Sequence, residues 1–136
     1  MPSLFTQIIA RHIPSYKIYE DEYVYAFLDI YPQRLGHTLI VPKIEVDHFA
    51  DVPEPYYSAI FQTAKRLSPV IQSATGCARV CTMFAGYEVP HCHYHIIPTD
   101  SIADLDHVNA KKADSADPAD LKDMQEKILA QLAIEN

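Results

Sequence analysis

The stretch that decides the fold is Pro90-His91-Cys92-His93-Tyr94-His95-Ile96-Ile97-Pro98, in which three histidines alternate with other residues. Alternate side chains of a β-strand lie on one face, about 7 Å apart, so His91, His93 and His95 are expected to project together. The residues between them would point to the opposite face, towards a core. Because burying an imidazole without hydrogen-bond partners costs free energy, three of them on an apolar strand indicate a functional site.

Two kinds of chemistry fit these histidines. One is a metal site, since three neutral imidazole nitrogens can hold zinc and leave one coordination position open. The other is nucleophilic catalysis, in which His93 attacks a phosphorus while its neighbours orient it and donate hydrogen bonds to the developing charge. A phosphoryl-histidine has a labile P–N bond, so this intermediate can form and be hydrolysed. The spacing alone leaves both interpretations open.

The rest of the chain predicts helices and strands around this segment. The predicted helices are residues 3–12 with Ser3 as N-cap, residues 51–75 with an Asp51–Glu54 capping box, and a last helix from Pro118. Pro69 is expected to kink the second helix or to mark its last turn. The predicted strands are residues 16–19, 23–28, 38–41, 79–85 and 91–97. This order predicts an α+β fold with a mostly antiparallel sheet.

Length and charge narrow the functional classes. A chain of 136 residues with a net charge of −7 and only three glycines indicates one ordinary globular domain, residues 1–136. The expected core spans residues 3–98, and residues 99–136 form an acidic extension. Residues 1–98 carry 7 basic and 9 acidic side chains, whereas the extension carries 4 basic and 9 acidic ones. The acidity argues against a nucleic acid polymer as partner. It does not argue against a small phosphate ligand, because the core is nearly neutral.

The cellular setting is expected to be the cytoplasm. The three cysteines, Cys77, Cys81 and Cys92, are odd in number and lack a disulfide spacing, which favours a reducing compartment. No segment approaches the ~18 apolar residues of a membrane span, and the first residues lack the features of a secretory signal. A membrane partner is therefore not expected.

The histidine segment resembles the His-x-His-x-His signature of the histidine triad (HIT) superfamily, including its bacterial Hint-like nucleotide hydrolases. A second stretch, from Phe27 through Gly36-His37-Thr38 to Lys43, resembles the other diagnostic block of that family. The resemblance covers roughly residues 3–98 in order. It implies a HIT-like α+β fold of about five strands with two or three helices, and a homodimer whose interface includes residues 51–71 and the strand before the triad.

The resemblance also implies an activity. Such proteins bind nucleotides, with a purine expected here, and cleave nucleoside phosphoramidates or dinucleoside polyphosphates at the α-phosphorus through a nucleotidyl-histidine, without a metal or other cofactor. By position, His93 is the nucleophile, His91 and His95 flank it, and His37 completes the catalytic cluster. The alternatives left open are a zinc-dependent hydrolase that uses the triad as ligands and a catalytically weak nucleotide-binding module.

The remaining site residues follow from the same resemblance. Asp29 is expected to accept hydrogen bonds from ribose hydroxyls, although an aspartate here can also be a turn residue before Pro32. The apolar walls of the base pocket are expected from four residues that could equally be plain core packing: Phe5, Ile13, Phe27 and Ile30. Nucleotide contacts near the phosphate are expected from Glu88 and Val89.

Some positions depart from the family pattern. Ser3 and Thr6 stand where some bacterial members have zinc-binding cysteines, so that structural zinc site should be absent and His48 should be a leftover surface residue. Glu88 replaces a serine that contacts phosphate in the Hint branch. A carboxylate there would repel a phosphate unless it turns outward. This substitution puts the precise substrate in doubt, but not the nucleophile.

Overall fold

The structure, a computed structural model, describes residues 1–106 and 116–135. Its helices and strands follow in the order α1 (Leu4–Ile9), β1 (Lys17–Glu20), β2 (Val24–Leu28), β3 (Thr38–Pro42), α2 (Tyr56–Thr75), β4 (Arg79–Phe84), β5 (Tyr94–Thr99) and α3 (Pro118–Glu135). The strands form one five-stranded sheet in the order β1-β2-β3-β5-β4, and every neighbouring pair is antiparallel. The predicted α+β fold is therefore confirmed.

The two faces of the sheet are buried against different helices. Ile40 of β3 belongs to the core that the sheet shares with α2 and α3, whereas its neighbours Leu39 and Val41 pack with Phe5 of α1. This alternation is expected for a central strand covered on both sides. His95 of β5 pairs with Leu39, and directly opposed residues share a face. The His95 side chain therefore lies on the α1 face.

The ends of α1 and α3 follow local sequence signals. Ser3 is the N-cap of α1, and its side-chain oxygen accepts a hydrogen bond from the Thr6 backbone N–H. At the start of α3, the Asp117 carboxylate accepts from the backbone N–H of Ala119. The apolar residues of α3 that recur at helical spacing are all buried: Leu121, Met124, Ile128 and Leu132.

The predicted start of the second helix is wrong. Asp51 ends a short 3-10 helix, Val52 is extended, and α2 begins only at Tyr56. The reason is that prolines at positions 53 and 55 keep the residues before them out of helical conformation, which interrupts the Asp51–Glu54 spacing. Glu54 instead accepts from the backbone and hydroxyl of Ser58. The helix also runs past Pro69 to Thr75, where Gly76 ends it in the left-handed conformation.

The histidine strand also starts later than predicted. β5 begins at Tyr94, so only His95 of the three histidines lies in a strand. β3 ends at Pro42 and pairs with β5 only as far as Ile40 opposite Tyr94. Before that point the chain turns away from the ladder, and the backbone N–H of Cys92 donates to the Val46 carbonyl instead.

The C-terminal part of the chain is described only in part. Residues 107–115, which belong to the irregular acidic stretch expected after Pro98, lie outside the described residues. Among the helices of the described ranges, none has the length and apolar character needed to span a membrane.

Candidate active site

The four histidines predicted from the sequence all have buried side chains on the α1 side of the sheet. The ring centroid of His95 lies 5.1 Å from that of His93 and 5.1 Å from that of His37. The backbone carbonyl of His91 is hydrogen bonded to the His93 ring. Although only His95 lies in a strand, the structure brings together the four residues assigned to catalysis.

His93 has a hydrogen bond that determines its tautomer. Its Nδ1 lies 2.7 Å from the carbonyl oxygen of His91. Because a carbonyl can only accept, His93 donates its Nδ1–H, and the neutral ring then carries its lone pair on Nε2. A lone pair on Nε2 is what a nucleophilic imidazole requires.

His37 and His95 form a second hydrogen-bonded chain. The Gln33 backbone N–H donates to His37 Nδ1 at 3.0 Å, so a neutral His37 carries its hydrogen on Nε2. That nitrogen lies 2.9 Å from His95 Nδ1, to which it donates. Neutral His95 consequently carries its hydrogen on Nε2.

His91 is held between two protein groups. Its Nε2 lies 2.9 Å from the Pro42 carbonyl, to which it must donate, and its Nδ1 lies 2.7 Å from Ser3 Oγ. Burial lowers the pKa of His91 below its ordinary value, although the hydrogen bond to Pro42 opposes this shift. The neutral ring, with Nδ1 as an acceptor, is therefore the favoured form.

These contacts bear on the possible metal ligands. With both nitrogens committed to Ser3 and Pro42, His91 is not placed to join the other triad histidines around an ion. Among the described residues, Asp29, His37 and His95 have potential ligand atoms that all lie within 4.8 Å of one another. To bind a metal through Nε2, His37 would have to move its hydrogen to Nδ1, directly opposite the Gln33 N–H. The present hydrogen bonds favour the metal-free arrangement.

Apolar side chains pack beside the nucleophile. The buried Phe5 ring meets the Phe27 ring edge-on at 5.6 Å between centroids, and its centroid lies 5.0 Å from that of His93. Ile13 and Val89 are partly buried and pack against the same cluster. The structure thus places Phe5 beside His93 and the other three predicted residues in the same apolar cluster, where both phenylalanines also serve as core.

The other predicted nucleotide contacts are more exposed. The Oδ1 of Asp29 accepts from the Tyr31 backbone N–H, as in the predicted turn, and its Oδ2 lies 3.8 Å from His37 Nε2. Ile30 is 41% exposed and lies outside the cluster around Phe5. Glu88 is exposed and does not line the cavity beside His93. The structure therefore does not bring Ile30 and Glu88 to the histidines.

A cavity of about 390 Å³ opens beside His93. Sequence reasoning missed most of its wall, which comes from the loop after β3 and the end of β4: Asp47, Phe49, Phe84 and Tyr87. No motif marks these residues, since they meet only when two distant loops fold against each other. His48 also lines the cavity, and its exposed ring accepts a hydrogen bond from the Ala50 N–H, which fits the surface role expected of it.

The protein is thus a small α+β domain whose antiparallel sheet places linked, buried histidines beside an open cavity. The sequence model of the HIT domain family matches residues 10–102. The chain belongs to this family, as its resemblance to the histidine triad proteins predicted.

Individual relatives agree with this assignment. The chain is 34% identical to the Protein hit of Bacillus subtilis, over 96% of this chain and 94% of that protein. It is 38% identical to the adenosine 5'-monophosphoramidase HNT1 of Saccharomyces cerevisiae over 70% of this chain, but it covers only 61% of that relative. A crystal structure of a Hit-like protein from Bartonella henselae superposes with a TM-score of 0.83 at 26% identity, covering 95% of each chain.

Proposed function

We propose that this protein is a nucleotide hydrolase or transferase that acts at the α-phosphorus of nucleoside phosphoramidates or dinucleoside polyphosphates. The observation that carries the proposal is the His93 ring, whose Nδ1–H is held by the His91 carbonyl and whose ring lines a cavity. The yeast relative is an adenosine 5'-monophosphoramidase, which supports the same reaction class.

In the proposed reaction, His93 Nε2 attacks the α-phosphorus and forms an N–P bond. The bond from phosphorus to the leaving amine nitrogen or phosphate oxygen breaks, and its electron pair leaves with that atom, which takes up a proton. Water then attacks the phosphorus of the nucleotidyl-histidine and loses a proton to solvent, while the N–P bond breaks and its electron pair returns to Nε2. This second step releases a nucleoside monophosphate and restores the neutral imidazole.

The neighbouring residues would orient the substrate and the nucleophile. His95, whose ring centroid is 5.1 Å from that of His93, would donate to a phosphate oxygen, and His37 would hold the His95 ring through their 2.9 Å contact. Asp29 would accept from the ribose hydroxyls. Phe5 and its apolar neighbours would contact the base, with a purine expected because a larger base covers more apolar surface.

The test of this proposal is release of AMP from an adenosine phosphoramidate, followed by chromatography. We expect His93→Ala to abolish turnover and alanine at the exposed His12 to leave it unchanged. Rapid quenching in alkali should trap an adenylyl adduct on His93, identified by its added mass. If wild type and His93→Ala release AMP at the same rate, catalysis at this site is refuted.

Two further measurements separate the alternatives. A zinc-dependent hydrolase predicts stoichiometric metal in the purified protein and loss of turnover with a chelator. A binding module predicts AMP binding by calorimetry that is weakened by Asp29→Ala, without any product. Our proposal predicts turnover that survives chelation.

We also propose that the protein acts as a homodimer. β4 is an edge strand, and beside it lie aromatic rings that pack on Phe84 and are partly exposed, including Phe49 and Phe61 at 40% and 38%. An unpaired edge with exposed aromatic side chains favours association with a second copy. Sedimentation equilibrium should show a dimer in wild type and a monomer in Phe61→Lys. A monomeric wild-type protein at micromolar concentration would contradict this proposal.

A further inference from the structure

The N-terminal end of α1 is hydrogen bonded to the histidine segment, 88 residues further along the chain. Ser3 Oγ lies 2.7 Å from His91 Nδ1 in a buried contact. From the sequence, Ser3 was expected to be a helix N-cap, and Ser3 and Thr6 were expected to mark the absence of zinc-binding cysteines. Their hydroxyl groups instead contact the first histidine of the triad.

The direction of these hydrogen bonds follows from groups with only one possible role. The Pro42 carbonyl can only accept, so neutral His91 donates Nε2–H to it and must accept at Nδ1. The Ser3 hydroxyl already accepts from the Thr6 backbone N–H at 3.0 Å and has its own hydrogen to give. Ser3 therefore donates its O–H to His91.

Glu45 is the hydrogen-bond acceptor for both Ser3 and Thr6. A single carboxylate oxygen, Oε1, accepts from the Ser3 backbone N–H at 2.7 Å and from the Thr6 hydroxyl at 2.6 Å. The hydrogen bond from the Ser3 backbone and that from the Thr6 hydroxyl keep the pKa of Glu45 below its ordinary value. Because the Thr6 hydrogen is directed to Glu45, Ser3 is the donor left for His91 Nδ1. The Ser3 Oγ to His91 Nδ1 distance of 2.7 Å is also shorter than the 3.2 Å from Ser3 Oγ to Thr6 Oγ1, the other acceptor within reach.

The hydrogen bond between Ser3 and His91 is connected to His93 through the His91 backbone carbonyl. The His91 ring is held between Ser3 and Pro42, and the carbonyl of the same residue accepts the Nδ1–H of His93 at 2.7 Å. A displacement of His91 would therefore move the acceptor that determines which His93 nitrogen carries the lone pair.

We propose that Ser3, Thr6 and Glu45 form a positioning unit for the nucleophile, which acts through His91 on the orientation and tautomer of His93. The proposal rests on the proposed function, because positioning matters only if His93 reacts. None of the three residues needs to touch the substrate. Their effect is to keep Nε2 of His93 unprotonated and aimed at the phosphorus.

The test compares variants that separate the helix cap from the contact with His91. Ser3→Gly removes the hydroxyl but keeps a residue type that is favourable at an N-cap, whereas Ser3→Thr keeps the hydroxyl. We expect Ser3→Gly to lower kcat for an adenosine phosphoramidate by about tenfold or more, with KM within about twofold, because small misplacements of a reacting group reduce rates this strongly. Ser3→Thr should restore kcat.

The Glu45 variants form a second matched pair. Glu45→Gln keeps an oxygen that can accept from Ser3 and Thr6, whereas Glu45→Ala removes it. We expect Glu45→Ala to resemble Ser3→Gly and Glu45→Gln to remain near wild type. A Glu45→Ala protein with wild-type kcat would remove Glu45 from the positioning unit.

A spectroscopic measurement makes the test independent of turnover. The imidazole ¹⁵N shifts of His93 in the substrate-free, full-length protein report which ring nitrogen carries hydrogen. We expect the Nδ1–H form in wild type and a mixture in Ser3→Gly. An unchanged His93 tautomer together with wild-type kcat in Ser3→Gly would overturn the inference. Equal rates for wild type and His93→Ala would instead refute the proposed function, and the ¹⁵N shifts would still decide whether this unit sets the tautomer.

Discussion

His37 joins a partly buried hydrogen-bond partner, the Gln33 N–H, to a buried one, His95, and its replacement by alanine measures how much that connection stabilises the protein. The side chain is fully buried. It accepts from the Gln33 backbone N–H at 3.0 Å and donates to His95 Nδ1 at 2.9 Å. In His37→Ala both of these hydrogen bonds are lost, and the imidazole leaves a cavity beneath the active site.

The loss in free energy of unfolding in His37→Ala follows from these contacts. Removing the partner of a buried polar group costs about 1–3 kcal/mol, and two such groups are affected. Incomplete collapse around the deleted ring adds to this loss. We therefore expect His37→Ala to lower the free energy of unfolding by about 3–6 kcal/mol.

Two isosteric variants divide the loss between the two contacts. In His37→Asn the amide oxygen can lie near the Nδ1 position and accept from Gln33, whereas in His37→Gln the amide nitrogen can lie near the Nε2 position and donate to His95. Each should recover about 1–2 kcal/mol relative to alanine. Only the glutamine variant is also expected to retain measurable turnover, because it keeps His95 oriented.

The assay is urea unfolding followed by far-ultraviolet circular dichroism, with AMP release measured on the same samples. The slope of the unfolding free energy against urea should be unchanged in all variants, so that shifts in midpoint report stability. A loss below about 1 kcal/mol in His37→Ala would refute the reasoning, because the buried hydrogen bond to His95 alone is expected to contribute at least that much. Equal turnover of the asparagine and glutamine variants would refute the role assigned to the His95 contact.

Three further predictions concern stability and thiol chemistry. Gly36 has φ 107°, and an added Cβ would lie 2.6 Å from a methyl group of α2, so Gly36→Ala should lower the free energy of unfolding by about 2–4 kcal/mol. Gly76→Ala should lower it by only about 1 kcal/mol, because φ is 70° there and no atom lies within 4 Å of the added Cβ. Equal losses in urea unfolding would contradict this. Lys43, with two other cations, lowers the pKa of Glu20 to about 2 from its ordinary 4.5, so its stabilisation is present above about pH 4.5 and disappears as the pH falls towards 2. Glu20→Gln should therefore destabilise by about 1–2 kcal/mol at neutral pH, after allowance for solvent screening, and hardly at all near pH 2, whereas a deficit independent of pH would contradict the assignment. Burial raises the pKa of Cys92 to about 12, which keeps its thiol protonated and unreactive at pH 8. At that pH a thiol reagent should label the partly exposed cysteine of β4 in the native protein, but should label Cys92 only after unfolding. Labelling of Cys92 in the native protein would contradict this.

Much of the fold could be predicted because local signals and periodicity agree. The apolar run 38–41 predicted a central strand, and β3 lies in the middle of the sheet with both faces covered. Ser3 and Gly76 mark helix ends where their conformational preferences predicted them. These features depend on residues within a few positions of each other, which is the range over which sequence patterns carry information.

The errors arose where a local pattern met a constraint from elsewhere. The spacing of Asp51 and Glu54 fits a capping box, but the prolines at 53 and 55 prevent a continuous helix there. The alternation from His91 to His95 fits a strand, but pairing between β3 and β5 stops at Ile40 opposite Tyr94, and the Cys92 N–H donates to the Val46 carbonyl instead. The histidines meet nevertheless, because the segment before β5 follows the α1 face of the sheet.

The residue types predicted which histidines would form the site, but they did not predict which ring nitrogen of each histidine carries the hydrogen. Backbone groups determine the three tautomers: the His91 carbonyl for His93, the Gln33 N–H for His37 and the Pro42 carbonyl for His91. Every non-proline residue carries the same backbone donor and acceptor, so no sequence pattern distinguishes these positions from others. Only the folded path of the chain selects them. It follows that side-chain substitution at Gln33 should leave the His37 tautomer intact, while proline there, which lacks the N–H, should release it.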